Sequence, residues 1–446
     1  MTAFREAERD TPIVAECDVV VAGGGPAGFA AAVAAARTGA KTILIETQGC
    51  LGGVWTSGLL SWVLDSGNKP GIIRELFDRL ERQGERQPMR WGGVACDVEA
   101  MKLLLEEMCL EAGVTVRLHT RVVAAARNRE NRLAVAITES KSGREAWHAP
   151  VFVDATGDGD LAACAGCGFD VGHPETGKTQ PMSMLCLLTG IRYEEAQPYI
   201  HDQSGKWRED SNLILEALAR VGVQPSYTAP ILIKLHDSGE SGALYLMMAN
   251  HEYGVSGLDA QQLTEATLRS RREVHTIVNG LRRFGKPFEN LRLVATGAQI
   301  GVREGRRISG HYTVTRDDLI SGARHPDAIC RVKFPVDVHA LDPRKDGKSY
   351  GKQGVTAQPY DIPLRALIAR DVDGLMMAGR CISGDFIAHS SYRVTGNAVA
   401  MGEAAGTCAG LATQRGCLPQ EVPFVEVAAV LCLPDLDHPD AKLSSV

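Results

Sequence analysis

The sequence predicts an α/β protein: a Rossmann-like dinucleotide-binding domain made of a parallel sheet and a β-meander, with an α+β substrate domain inserted into it. Three observations carry that expectation. The apolar run CDVVVAG (residues 17–23) leads into a glycine fingerprint and an alanine-rich helical stretch, and KTILIE (residues 41–46) follows as a second apolar run. Together they make a βαβ unit of about thirty residues, the signature of a parallel sheet. A third buried run ending in glycine, GLMMAGR (residues 374–380), lies near the far end of the chain, so the nucleotide domain is expected to be discontinuous.

The elements between follow in order. Residues 1–16 read as a polar arm. Asp97 is placed to cap the helix VEAMKLLLEEMCLEAG, which Gly113 ends, and VTVRLHTRV reads as one alternating strand after it. RLAVAITE and the run into VFVDATG, joined by the turn-rich SKSGRE, continue as a β-meander. From about residue 172 to 291 strand signals weaken and helical stretches dominate. The expected organisation is residues 1–171 as the first part of the nucleotide domain, 172–291 as the inserted substrate domain, and 292–446 as the second part. A chain of 446 residues is long enough for that and can bury a large cofactor.

Composition removes several function classes. Hydrophobic content of 44% with 47 glycines describes a globular protein with close backbone packing. A formal charge of −6 argues against a nucleic-acid partner. No run of about 18 apolar residues is present to span a bilayer, and MTAFREAERD lacks the regions of a signal peptide. A cytoplasmic protein with no membrane partner is expected. The twelve cysteines are scattered, which suits free or buried thiols better than a disulfide framework. No metal is expected, because the spacings of zinc sites are absent, as are those of simple hydrolases and P-loops.

The fingerprint itself is Gly23-x-Gly25-x-x-Gly28, with Pro26 and Ala27 inside it and Glu46 eighteen residues past the last glycine. Gly23 allows the tight turn, Gly25 lets backbone amides approach a pyrophosphate, and Gly28 permits close helix–strand packing. Glu46 is placed to accept ribose hydroxyls. After the acidic strand, QGCLGGVWTSG carries Gly52, Gly53, Trp55 and Thr56, where an extended cofactor needs contacts past its ribose.

GGGPAG, the acid, LGG-x-x-T, DATGDGD, REGRR, YDIPLRALI, AGRCIS and RV…GEAAG, in that order between residues 19 and 411, resemble the FAD-dependent oxidoreductase family. The resemblance is weakest between about residues 191 and 292. It implies the glutathione-reductase-type FAD fold and FAD as cofactor. Ala155, Thr156 and Gly157 then match the A-T-G that closes a strand of the FAD domain, and Asp160 or Asp158 approaches the cofactor or caps the short helix LAACAG. Gly379 and Arg380 end the last strand. Asp385 either meets the ribitol and pyrophosphate or caps a turn. A helix beginning near Gly396 and Asn397 points its N-terminus at the flavin pyrimidine ring in the resembling fold, and Gly402, Gly406 and Gly410 line one face of it. DATGDGDLAACAGC also mimics a second fingerprint and holds a CxxC, Cys164 and Cys167. No βαβ unit with an acid follows Gly157, so a second nucleotide is not expected. Packed thiols are the default reading of the cysteines, with Cys50 and Cys381 the ones placed to reach a flavin.

AHSSYRVTGNA puts His389 four residues before Arg393, which resembles the H-G-x-N-R-x-x-x-N segment of fumarate reductase and succinate dehydrogenase flavoproteins; Ser390 and Tyr392 depart from it. There the arginine clamps a substrate carboxylate. Arg393 either does that or pairs with a buried acid or with FAD. His389 is a candidate for proton transfer or a structural histidine. Arg303, Arg306 and Arg307 form either an anion-binding wall or ion pairs, for instance with Glu304. The family's fumarate reductases carry a cap-domain acid–base arginine with no counterpart here, so fumarate chemistry is not implied. The expected function is an FAD-dependent dehydrogenase or oxidase exchanging hydride with a small organic substrate, anionic if Arg393 clamps a carboxylate. Flavin monooxygenation, or flavin binding without turnover, are the alternatives, and a homodimer is compatible with the fold.

Overall fold

The computed structural model describes residue 4 and residues 6–89, 93–201, 207–237, 243–342, 350–431 and 433. In chain order the nucleotide domain begins with β1 (Ile13–Glu16), β2 (Val19–Ala22), α1 (Pro26–Arg37), β3 (Thr42–Ile45), α2 (Ile72–Arg82), α3 (Val98–Glu111), β4 (Thr115–Arg117), β5 (Arg121–Arg127), β6 (Leu133–Ser140), β7 (Gly143–His148), β8 (Val151–Asp154) and α4 (Asp160–Cys164). The inserted region carries β9 (Cys186–Thr189), α5 (Trp207–Arg220), β10 (Ile231–Asp237), β11 (Ala243–Met248), α6 (Ala260–Phe284) and β12 (Arg292–Thr296). The chain returns through β13 (Val338–His339), β14 (Leu375–Met377), α7 (Phe386–Tyr392) and α8 (Thr395–Arg415).

A five-stranded parallel sheet in the order β14-β8-β2-β3-β4 joins the two ends of the chain. Its central strands are buried at every residue, as expected for runs such as VVVA and TILI that are covered on both faces. A second sheet, β1-β7-β6-β5, is the meander. Two expectations need correcting here. The supposed polar arm contains β1, which pairs in parallel with β7. VTVRLHTRV is two strands, not one. His119 adopts a left-handed φ of 55°, and the amides of His119 and Thr120 bond to the carbonyls of Gln48 and Glu46, hooking the chain over the end of β3 and sending β5 into the meander.

Capping follows the sequence in one place and departs from it in another. Asp97 caps α3, accepting from the amides of Glu99 and Ala100. Neither Asp158 nor Asp160 caps α4. Asp154, at the end of β8, takes that role by accepting from the Ala162 amide and from the amide and hydroxyl of Thr156. Its carboxylate thereby fixes the A-T-G turn onto the strand it closes.

Gly402 and Gly406 of α8 lie against the carbonyls of Ala27 and Ala31 in α1, and a Cβ at either position would collide with them. The spacing of four is therefore the seam of a buried helix pair. No helix among the described residues is long and apolar enough to cross a membrane.

The inserted region is built on an antiparallel sheet in the order β10-β11-β9-β12. Cys186, Leu188, Tyr245 and Met247 face α5 and α6 in one core. Leu185, Leu187, Leu246, Ile231 and Ile233 face the other way and pack on Leu59, Trp62, Met89 and Val98 of the nucleotide domain. Strands buried on both faces lose the apolar–polar alternation, so SMLCLLT and ALYLMM give only weak strand signals. β12 extends this sheet to Thr296, past residue 291. The sheet thus clamps the inserted region onto the domain that carries the fingerprint.

Candidate functional site

Parallel strands deliver their following residues to one edge: the fingerprint after β2, Glu46 after β3, Ala155 to Gly157 after β8, and Gly379 with Arg380 after β14. Gly28 lies on the Gly23 carbonyl, which leaves no room for a side chain, whereas a Cβ on Gly25 would meet nothing within 4 Å. The N-terminus of α1, with Pro26 in its first turn, thus presents unpaired amides to open space. Ala27 packs beneath Gly379. Glu46 is buried and accepts from the amides of Gly24 and Gln48, each at 2.6 Å. The second glycine loop folds over the first, through a bond of 2.8 Å from the Gly52 amide to the Gly24 carbonyl and contact of Gly53 with Gly25. Thr56 is tied to the Leu51 carbonyl.

Around this cradle several buried polar atoms have no hydrogen-bond partner among the described residues: Trp55 Nε1, both amide atoms of Asn397, and one guanidinium nitrogen of Arg380. Buried polar groups are nearly always paired. An extended polar ligand along the edge of the sheet would supply the missing partners, and the donor set fits FAD. Other candidates are already engaged. Asp160 pairs with Arg306 at 2.9 Å, and Arg380 pairs with Asp158 at 3.1 Å across Gly157. Asp385 caps α7, accepting from Ala388 at 2.7 Å and from the Arg316 amide at 2.6 Å. Gly396 is pressed against the Leu64 and Asp65 carbonyls.

The three arginines of GVREGRR separate. Arg307 is buried in an ion pair with Glu304 at 2.5 Å and also donates to the carbonyls of Gly384 and Gly172. Arg306 holds Asp160. Arg303 alone has no carboxylate partner among the described residues; it donates to the Pro181 carbonyl at 2.7 Å and to Ser183 Oγ at 2.9 Å. Burial, with Arg393 nearby, pulls its pKa down to about 10, and it remains a cation at neutral pH.

Arg303 belongs to a seam between the two regions. Backbone bonds tie Ser183 to Gly301 and Met182 to Glu252, setting Arg303 and His251 on either side of the 180–183 segment. From the nucleotide domain come Arg393, just before α8, and Asp337 and His339 at β13. Arg393 donates to the Asp337 carbonyl at 2.9 Å and approaches its carboxylate at 3.5 Å. Gln180 receives the His339 amide at 2.9 Å and leaves its own side-chain nitrogen unpartnered. The ring of His251 stacks on Tyr227 with centroids 4.1 Å apart. Burial and the two arginines depress both imidazoles, His339 to about 4. Although burial opposes it, His339, Arg393 and Arg303 hold the Asp337 carboxyl well below the usual range. Two arginines against one carboxylate leave the seam with an excess positive charge.

His389 is not part of this set. It is buried on α7 with its ring edge-on to Tyr392, and neither ring nitrogen has a hydrogen-bond partner among the described residues. Burial keeps it neutral. His251, His339, Asp337 and Gln180 were not legible as site residues. The one available signal is D-V-H at 337–339, which puts an acid and a histidine on the same face of a strand. Among the described residues no cluster suited to a metal occurs and all cysteines are free. Burial raises the thiol of Cys164 and takes that of Cys167 to about 12, the opposite of an activated dithiol.

Solved structures with similar chain traces include a geranylgeranyl bacteriochlorophyll reductase-like protein from Thermoplasma acidophilum, 13% identical with a TM-score of 0.44 over 94% of this chain and 83% of that one. The flavin-dependent brominase Bmp2 is 11% identical, with a TM-score of 0.47 over 94% of this chain and 83% of its own. Both likenesses are too distant to bear on the chemistry. A dihydrolipoyl dehydrogenase from Trypanosoma brucei brucei is 55% identical over 42 residues, a stretch that spans 9% of either protein. The family described as FAD dependent oxidoreductase matches residues 18–431, nearly the whole chain and the cradle and seam within it. This protein belongs to the FAD-dependent oxidoreductase family.

Proposed function

We propose that the chain exchanges hydride between FAD and a small anionic organic substrate held at the seam by Arg303 and Arg393. The cradle residues Gly23, Gly25, Pro26, Ala27, Gly28, Glu46, Gly52, Gly53, Trp55 and Thr56, with Ala155, Thr156, Gly157, Gly379, Arg380, Gly396 and Asn397, hold the cofactor. FAD supplies the two-electron chemistry when bound. Asp385 and Asp160 act indirectly, by capping α7 and positioning Arg306. The observation that carries the reading is Arg303, a half-buried cation with no carboxylate partner among the described residues, across from a second arginine. A guanidinium pair of this kind binds a carboxylate in a fork and orients it. Partial burial of Arg303 strengthens that attraction over what a fully exposed pair would give. His389 serves packing.

The test is anaerobic reduction of the FAD-loaded protein by a panel of small carboxylates, alcohols and amines. Bleaching of the flavin by carboxylates supports the reading. Bleaching by none, with isotopic oxygen entering a product when NAD(P)H and oxygen are supplied, would favour a monooxygenase instead.

A further inference from the structure

The seam also contains a directional chain of hydrogen bonds that substrate binding does not require. Tyr253 Oη lies 3.0 Å from His251 Nδ1, His251 Nε2 lies 3.2 Å from His339 Nδ1, and His339 Nε2 lies 3.2 Å from Asp337 Oδ2. An ionised carboxylate can only accept, so His339 donates from Nε2 and offers its Nδ1 lone pair. His251 then donates from Nε2 and receives the Tyr253 hydroxyl at Nδ1. One carboxylate thus sets the tautomers of two rings drawn from different regions of the chain.

We propose that Tyr253, His251, His339 and Asp337 form a proton relay coupled to anion binding at Arg303 and Arg393, so that the site takes up a proton with its anion. The proposal rests on the functional reading above for the position of the anion. A solvent proton adds to the Tyr253 oxygen as the hydroxyl proton passes to His251 Nδ1, and the Nε2 proton of His251 passes to His339 Nδ1. Tyr253 and His251 end neutral. His339 ends as an imidazolium that donates to Asp337 on one side and to His251 on the other, with no bond left open and no redox change. Around the relay stand Arg303 from the 301–303 segment, Arg393 before α8, Tyr227 from the inserted region, and Glu304, which is already paired with Arg307. The arginines disfavour a charged imidazole while the site is empty. An anion between them removes that penalty, so the relay gains a proton only in the complex. The acid–base group is therefore charged when a substrate is present to use it.

The probe is nitrate, which is planar like a carboxylate and stays ionised throughout. It is titrated calorimetrically into the FAD-loaded protein near about pH 6, in two buffers of different ionisation enthalpy. The wild type is expected to bind with uptake of up to about one proton per nitrate, its affinity falling by up to about tenfold per pH unit above about pH 4. The double variant His251→Gln/His339→Gln should bind without uptake, and Arg303→Gln should not bind. Wild-type binding without uptake overturns the relay alone, as does uptake that survives in the double variant. Failure of nitrate to bind overturns the anion site and the relay with it. Should the double variant not fold, nitrogen NMR of labelled histidines in the wild type decides: nitrate must convert His339 to the imidazolium, and an unchanged neutral ring contradicts the relay.

Discussion

Arg303 and Arg307 lie four residues apart and are paired differently: Arg307 has a carboxylate at ion-pair distance and Arg303, among the described residues, does not. Replacing Glu304 by Gln leaves the Arg307 guanidinium buried without its counter-charge. Breaking a buried pair in this way costs about 3–5 kcal/mol, so chemical denaturation of Glu304→Gln should show a loss of that order. Arg303→Gln is expected to cost clearly less than that, since it leaves no counter-charge stranded and eases repulsion with Arg393 while removing two hydrogen bonds to neutral acceptors. The cluster REGRR was legible as charged and shared with a family, but which of its arginines is ion-paired was not. That pairing depends on Glu304 meeting Arg307 in the folded chain, and on the 180–183 segment presenting only a carbonyl and a hydroxyl to Arg303.

The helix pair α1/α8 joins the cofactor cradle to the seam, since α1 begins at the fingerprint and Arg393 precedes α8. Gly406→Ala places a methyl group against the Ala31 carbonyl, and such overpacking typically costs about 1–3 kcal/mol. Because α1 must move to relieve it, FAD affinity measured by flavin fluorescence should fall as well. Gly416→Ala, in open space beyond the helix end but at a φ of 65°, should lower stability without that loss of affinity. Within the same helix, Glu403 accepts from the Ile72 amide at the start of α2, and burial raises its carboxyl from 4.5 to about 7. A folded value above the unfolded one favours the protonated form, so this contribution is complete below pH 4.5 and is lost as pH rises through about 7. Thermal melts from pH 5 to 8 should therefore flatten in Glu403→Gln, on the order of 2 kcal/mol of the pH dependence disappearing. The glycine spacing that gives this helix its close packing was legible from sequence; the acid beside it, reaching a helix more than three hundred positions earlier, was not.

Across the whole molecule, what could be read from the sequence is what local chemistry dictates. A glycine fingerprint between two apolar runs needs no partner to be recognised, and neither does an acid at a strand end or a strand ending in glycine. The seam is the reverse case. Asp337, His339, His251, Gln180 and Arg303 come from four separated segments, and they meet where the 180–183 segment pairs with Gly301 and Glu252 and bonds to His339, beside the packing of the two-faced β9-β10-β11 sheet on Trp62 and Leu59. That sheet left only a weak trace in the sequence because its strands are apolar on both faces. On the proposed function, the excess cation at this seam selects an anionic substrate for the flavin. The most direct measurement compares the rates at which a small hydroxy or amino carboxylate and its uncharged amide reduce the flavin anaerobically, in wild type and in Arg303→Gln. The expected result is that the carboxylate outpaces its amide in the wild type and loses at least about 30-fold in kcat/KM in the variant, the lower end of what truncating a buried charge pair costs. Equal rates for the two compounds, unchanged by Arg303→Gln, would contradict it.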